Sequence, residues 1–122
     1  MGRLAALVLV GLAVNANADA PDPIATQEIE YLISSVEHTQ GVTFERNGVS
    51  YDAKSAASHL RRKLKFAGAH VRTAEDFIRL CASKSSVSGK PYEVKFDDGR
   101  VMTSESYLTG KLAEYRKSHQ IS

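Results

Sequence analysis

Residues 42–64, VTFERNGVSYDAKSAASHLRRKL, place a hairpin directly before a helix. Val42–Arg46 and Val49–Tyr51 are short segments rich in β-branched and aromatic residues, which favour strands. Between them stands Asn47-Gly48, the dipeptide best suited to the positive φ angles of a two-residue hairpin turn. We therefore predict an antiparallel hairpin with its turn at these two residues.

The same stretch continues into a helix. Asp52 is a good N-cap residue, and Gly68 is a good residue to end a helix, so we predict a helix that runs to about Ala67. Its apolar line, at helical spacing, consists of Ala53, Ala56, Ala57, Leu60, Leu64 and Ala67.

A second hairpin followed by a helix is predicted near the end of the chain. Apolar residues alternate with charged ones over residues 92–96, and Asp98-Gly99 supplies the next hairpin turn. After a strand of residues 101–103, a helix is expected from about Glu105 to Ser118.

Two further helices complete the predicted elements. Asp22 followed by Pro23 has the pattern of a helix start, and the apolar spacing after it predicts a helix over about 24–39. Thr73 and Asp76 have the spacing of a capping box, which opens another helix.

The order of elements is therefore helix, hairpin, two helices, hairpin, helix. This order predicts an α+β fold: residues 19–122 form a single small domain, in which two antiparallel β-hairpins make a sheet packed with about four helices. Seven aromatic residues fall on inward positions of these elements, and we interpret them as core: Phe44, Tyr51, Phe77, Tyr92, Phe96, Tyr107 and Tyr115.

Residues 1–18 have the layout of a secretory signal peptide. Arg3 provides the basic start, an apolar run extends over residues 4–14, and small residues precede the expected cleavage after Ala18, with Ala20 as second choice. Because the apolar run is shorter than the ~20 residues that a bilayer span needs, we expect no stable membrane anchor once the leader is removed.

Three strings of the sequence resemble a known family: FERNGVSYDAKSAASHLRRKL, TAEDFIRLCASKSSVSGKPY and DGRVMTSESYL. They are similar to the YfeK-like family of small exported proteobacterial proteins, a domain of unknown function, over about residues 28–116. The resemblance implies export and a periplasmic location. Since the family has no established activity, it implies no catalytic residues.

Residues 83–92, called here the serine loop, are the first candidate contact region for a ligand or partner. The candidate residues are Ser85, Ser86, Ser88 and Lys90. We favour the interpretation of this loop as a connector, whose hydroxyls bond to open backbone groups of the preceding helix while Gly89 and Pro91 turn the chain, and contact with a ligand or partner is the alternative.

The serine loop does not match a phosphate-binding P-loop. Lys84 stands where the leading glycine belongs, and Pro91 stands where a serine or threonine should bind magnesium. The segment also follows the end of a helix, where the dipole disfavours anions. We therefore expect no nucleotide cofactor.

The second predicted helix carries further candidate contacts. His59 borders its apolar line, and Arg61 and Arg62 begin a basic run with Lys63 and Lys65. Such a run is typical of a solvated helix face, but it could also attract an anionic envelope polymer or an acidic partner protein.

Composition argues against several classes of protein. The formal net charge is +2, or +1 without the leader and its Arg3, which gives no reason to expect a nucleic-acid partner. The four histidines lack the short spacings of a metal site, and Cys81 is the one cysteine. We expect no metal, cofactor or catalytic set, and a monomer with Cys81 buried.

Three functions remain open on these grounds. We favour a non-catalytic binding or protein-interaction module of the cell envelope. The first alternative is a binder of anionic envelope polymer through the basic helix. The second is an unrecognised small enzyme that uses His59 with a loop serine, because convergent active sites leave no sequence motif.

Overall fold

The computed structural model describes residues 22–120. The predicted leader, residues 1–18, and both cleavage positions lie outside the described residues. The elements in chain order are α1 (Pro23–His38), β1 (Val42–Arg46), β2 (Val49–Tyr51), α2 (Ala53–Ala67), a short 3-10 turn (Gly68–His70), α3 (Ala74–Cys81), β3 (Glu93–Phe96), β4 (Val101–Thr103) and α4 (Ser104–Ser118). None of the helices between residues 22 and 120 has the length and apolarity that a bilayer span needs.

The strands form one antiparallel sheet in the order β2-β1-β3-β4. Each predicted hairpin is present, and the two hairpins join through their first strands, with Phe44 of β1 opposite Val94 of β3. The α+β fold of two hairpins in one sheet packed with four helices is confirmed.

The helices cover one face of this sheet. Phe44 and Val94 point to the core and are buried, whereas Thr43 and Lys95, on the opposite face, are exposed. The alternation follows from the two-residue period of a strand. The largest completely buried side chains are Phe77, Leu32, Ile33, Leu108, Val36, Val71, Val94 and Cys81.

Local hydrogen bonds set the helix starts. Asp22 and Asp52 each accept a backbone N–H from the third residue of their helix at 2.8 Å. Thr73 and Asp76 form the two reciprocal bonds of the predicted capping box. These bonds satisfy N–H groups that a helix start otherwise leaves open.

The boundary of α4 differs from the prediction by one residue. Thr103 is its N-cap and accepts the N–H of Ser106 at 3.1 Å, so the helix begins at Ser104 rather than at Glu105. The chain thus passes from β4 into α4 without a linker. This direct transition holds α4 against the sheet.

The turn of the first hairpin forms at the expected dipeptide. Asn47 and Gly48 have φ angles of 54° and 78°. Both are in the left-handed region that a two-residue hairpin turn requires and that asparagine and glycine tolerate best. This geometry turns the Asn47 side chain toward the serine loop.

Candidate functional site

A groove of about 580 Å³ lies between α2 and the serine loop. We call it the α2 groove. Its polar lining includes Arg46, His59, Arg62, Lys63, Ser85, Ser86 and Tyr92, and its apolar lining includes Phe66, Leu80 and Val87. The groove therefore brings together His59, Arg62, Ser85 and Ser86, which are four of the residues proposed from the sequence.

A hydrogen-bonded cluster forms the floor of the groove. Arg46 at the end of β1 reaches α2, where its Nη1 lies 3.0 Å from Nδ1 and 3.1 Å from Nε2 of His59. Its Nη2 donates to the Tyr51 hydroxyl at 2.9 Å. The Tyr92 hydroxyl lies 3.2 Å from His59 Nε2 and accepts from Lys63 Nζ at 3.1 Å. These hydrogen bonds connect β1, β2 and α2 with the end of the serine loop.

The His59 tautomer decides the role of the Tyr92 hydroxyl. A guanidinium only donates, and Arg46 Nη1 is nearly equidistant from the two ring nitrogens, so the nitrogen that accepts from Arg46 follows from the choice of tautomer. We adopt the tautomer with the proton on Nε2, in which Nδ1 accepts from Arg46 and Nε2 donates to the Tyr92 oxygen. That oxygen accepts from both His59 and Lys63, which leaves the Tyr92 hydroxyl proton to point elsewhere. In this assignment Tyr92 can donate to a bound acceptor.

The surroundings keep His59 neutral. Burial lowers the pKa of its imidazole, and the positive charges of Arg46, Lys63 and Arg62 lower it further, to about 4 from its ordinary 6.5. At neutral pH the ring is therefore a positioned donor and acceptor, and the positive charge of the groove resides on its arginines and lysine.

The basic run of α2 divides between two sides of the helix. Arg61 turns to α1 and pairs with Glu30 at 3.0 Å and Glu37 at 3.3 Å. Arg62 and Lys63 turn to the groove, where Lys63 is half-buried. The run is therefore only partly a solvated face, because Arg61 joins two helices and Lys63 packs on Tyr92.

The serine loop has a defined internal structure. Ser85 is only 4% exposed, and its hydroxyl accepts the backbone N–H groups of Val87 at 3.1 Å and Ser88 at 3.3 Å. It also accepts from the Asn47 side-chain amide at 3.1 Å, and the Ser88 hydroxyl donates to the Asn47 carbonyl oxygen. The loop is thus fastened to the turn of the first hairpin.

The other candidate residues of the loop have different positions. Ser86 is exposed and lines the α2 groove. Lys90 is outside the groove lining, beside Glu45 and Glu93 of the two central strands, and its backbone closes the loop by accepting the Ser85 N–H at 3.0 Å. Ser85 and Ser88 therefore have bonds that suit a connector, and Ser86 is the serine placed for ligand contact.

Several lining residues were not recognised as site residues from the sequence. Arg46 lies two residues after the inward-facing Phe44, so both side chains are on the same face of β1. A charged residue on the face that packs against the helices could have identified Arg46 as a site residue. Phe66 is 86% exposed and lies off the apolar line of α2. Val87 is an exposed apolar residue among serines, at 94%. Exposed apolar residues that line one groove together form a patch of the kind that marks contact surfaces, unlike a single exposed residue such as Ile24.

The described residues do not assemble the pair that the enzyme interpretation needs. Between residues 22 and 120, the hydrogen-bond partners of His59 are Arg46 and Tyr92 rather than a serine hydroxyl. The Ser85 hydroxyl is occupied by its own loop and by Asn47. In the same part of the chain, no group of three or more His, Cys, Asp or Glu residues could hold a metal ion.

Comparisons with known proteins place the sequence among uncharacterised relatives. Residues 23–116 match the model of a family of unknown function, DUF5329. The chain is 36% identical over 85 residues to the uncharacterised protein YfeK of Salmonella typhimurium, an alignment that covers 70% of this chain and 68% of that protein. The predicted resemblance to a YfeK-like domain is confirmed. No solved structure matches the chain.

Proposed function

The chain belongs to DUF5329, a family of unknown function, and from this premise we propose that it is an exported, periplasmic protein that binds a partner non-catalytically through the α2 groove. The leader-like residues 1–18 support export, and residues 19–122 would then be the mature domain. The groove supports binding, since it combines exposed apolar side chains with cations on a hydrogen-bonded floor.

The observation that carries this proposal is the pair of exposed apolar side chains at the groove. Phe66 and Val87 are 86% and 94% exposed, and they project from opposite walls, α2 and the serine loop. When a partner covers such exposed apolar side chains, their removal from water contributes favourably to the free energy of binding. Their neighbours Arg62 and Lys63 give the surface a positive charge.

Site-directed photocrosslinking in living cells tests the proposal. A photoreactive amino acid replaces Val87 in the exported chain, and we expect a discrete crosslinked product with another macromolecule of the envelope. The matched control is the same replacement at Val101, an exposed valine on β4 that is 50% exposed and outside the groove lining. Equal products from both positions, or none from position 87, would contradict a binding role for the groove.

A second candidate is the binding of an anionic envelope polymer. The cations of the groove, Arg46, Arg62 and Lys63, favour it, whereas Arg61 is already paired with α1. Binding of a polyanion through these residues would weaken steeply as salt is added. The affinity for a polyanion would change little when Phe66 is replaced by serine. The affinity for a partner with apolar groups would fall, so this variant distinguishes the two functions.

A further inference from the structure

Three cations of the α2 groove have no acidic partner within the described part of the chain. Arg46, Arg62 and Lys63 form no ion pair with residues 22–120, and we call them the groove cations. Six other basic residues in the same part of the chain form ion pairs: Arg61, Arg79, Lys95, Arg100, Lys111 and Arg116. The remaining lysines without an ion pair there are exposed and lie outside the groove lining, whereas the groove cations are clustered. The groove is therefore a place where positive charge is left uncompensated.

The floor of the groove adds a neutral donor to these charges. With the His59 proton on Nε2, the Tyr92 oxygen accepts from His59 and Lys63, so the hydroxyl proton is available to an acceptor in the groove. Arg46 is half-buried and bonded to His59 and Tyr51, which holds its guanidinium in place. Such a set of fixed donors suits a carboxylate, because charge-assisted hydrogen bonds from arginine to carboxylate are strong and directional.

Apolar side chains stand directly beside the charges. Phe66 follows Lys63 by one turn of α2, Leu80 contributes from α3, and Val87 faces them from the serine loop. A polyphosphate or anionic polysaccharide chain presents anionic groups but no aliphatic side chain to cover Leu80 and Val87. A peptide that carries acidic and apolar residues together satisfies both parts of the groove.

Resting on the proposed function, we infer that the partner presents an acidic peptide segment to the α2 groove. Its carboxylates lie against the groove cations, and a neighbouring apolar side chain packs on Phe66 and Val87. The volume of about 580 Å³ is within the range of ~300–1,000 Å³ typical of ligand pockets, which suits a few residues rather than a whole domain.

His59 provides a reporter inside the site. The ionisable groups around it are Arg46, Tyr51, Lys54, Arg62, Lys63 and Tyr92, with Glu45 and Glu93 at a small cavity on its inner side. Burial is the main cause of its lowered pKa, and the nearby cations lower the pKa further. A bound carboxylate would offset their charge, so the pKa of His59 should rise when an acidic peptide is added.

The binding test uses the protein as cells produce it and three matched synthetic peptides. The first places a leucine between glutamates, the second replaces the glutamates by glutamines, and the third replaces the leucine by serine. Nuclear magnetic resonance follows the backbone amides and the His59 ring during each titration. We expect the first peptide to shift amides of Arg62, Phe66 and Val87, to raise the His59 titration midpoint, and to bind about tenfold more tightly than either of the others.

Two variants and their controls locate the contacts. Arg62→Glu should weaken binding of the first peptide by about tenfold, whereas Lys65→Glu, the same charge change at an exposed position of α2 outside the groove, should leave it unchanged. Phe66→Ser should weaken it as well, whereas Ile24→Ser, at an apolar residue that is 69% exposed on α1, should not. Both pairs change exposed residues, so the fold is retained.

The outcomes separate this inference from the proposed function. If the glutamine peptide binds as well as the glutamate peptide, or if no peptide shifts groove amides at millimolar concentration, the inference is wrong. Dextran sulfate, added as a polyanion without apolar groups, would shift groove amides in place of the peptide if the partner were an anionic polymer, which also overturns it. In either case, a crosslinked product from position 87 in cells would still support the proposed function. Failure of that crosslinking experiment is the result that would contradict the proposed function.

Discussion

Ser85 and Ser86 are neighbours with opposite surroundings. The Ser85 hydroxyl is buried and accepts from Asn47, Val87 and Ser88, whereas Ser86 is exposed in the groove lining. Ser85→Ala leaves those donors without their acceptor and should lower the free energy of unfolding by about 1–3 kcal/mol. Ser86→Ala should change it by less than about 0.5 kcal/mol.

Urea unfolding of the two variants beside the parent protein measures both effects. Equal destabilisation by the two changes would mean that the hydroxyl of Ser85 does not organise the serine loop. Because each serine is replaced separately, the two variants also show which of them stabilises the serine loop as a connector.

His59 predicts a pH dependence of stability. Its pKa in the folded protein, about 4, lies below the ordinary 6.5, so between these values the unfolded chain binds a proton that the folded chain does not. Stability from this group is therefore complete above about pH 6.5, falls as the pH drops, and is constant again below about pH 4. Because the ring is half-exposed, solvent screening reduces the effect, and we expect about 1 kcal/mol.

The measurement is the free energy of unfolding in urea at pH 7 and pH 5, for the parent protein and for His59→Gln. Carboxylates contribute equally to both proteins, so the difference between them isolates His59. The parent should lose more stability than the variant on acidification. A parallel loss in both would show that the imidazole is not held neutral.

At the scale of the elements, Arg116 connects three helices. From α4 it contacts Glu28 of α1 in a two-bond pair at 2.8 and 2.9 Å, and Glu75 of α3 at 2.6 and 3.1 Å. Arg116 lowers the pKa of the Glu75 carboxyl, and both carboxylates hold the pKa of the Arg116 guanidinium above its ordinary range. Glu28 is only 7% exposed, and Arg116 is the ion-pair partner of its carboxylate.

Arg116→Met should therefore destabilise the fold by about 2 kcal/mol, because it leaves Glu28 buried without a partner. The value is below the ~3–5 kcal/mol of fully buried pairs, since the Arg116 side chain is itself 44% exposed. The matched control is Arg100→Met, which removes an exposed pair with Asp98 and a cation–π contact with Phe96 and should cost less than about 1 kcal/mol. Thermal unfolding monitored by circular dichroism decides between them, and equal shifts would contradict the prediction.

The elements that could be predicted from the sequence are those set by neighbouring residues. Asn47-Gly48 makes its turn, and Asp52 and Thr73 cap their helices, through bonds that span at most a few positions. The floor of the groove could not be predicted in this way. Arg46 meets His59 only because the hairpin folds onto α2, and Tyr92 joins them from a distant part of the chain.

At the scale of the whole molecule, we predict export of the protein from the leader-like residues 1–18. Removal of the leader after Ala18 would leave a chain that starts at Asp19. Intact mass of the protein isolated from the periplasmic fraction measures the start directly. A chain that still begins at Met1, or that is recovered only from the cytoplasm, would contradict the proposed export.

Cys81 is buried in the core, and burial raises the pKa of its thiol. It is also the one cysteine among these 122 residues, so no disulfide can form between two of them. We therefore expect the fold to form equally well in oxidising and in reducing surroundings. Unfolding curves recorded with and without dithiothreitol should superimpose; a shift between them would mean that the thiol reacts between molecules.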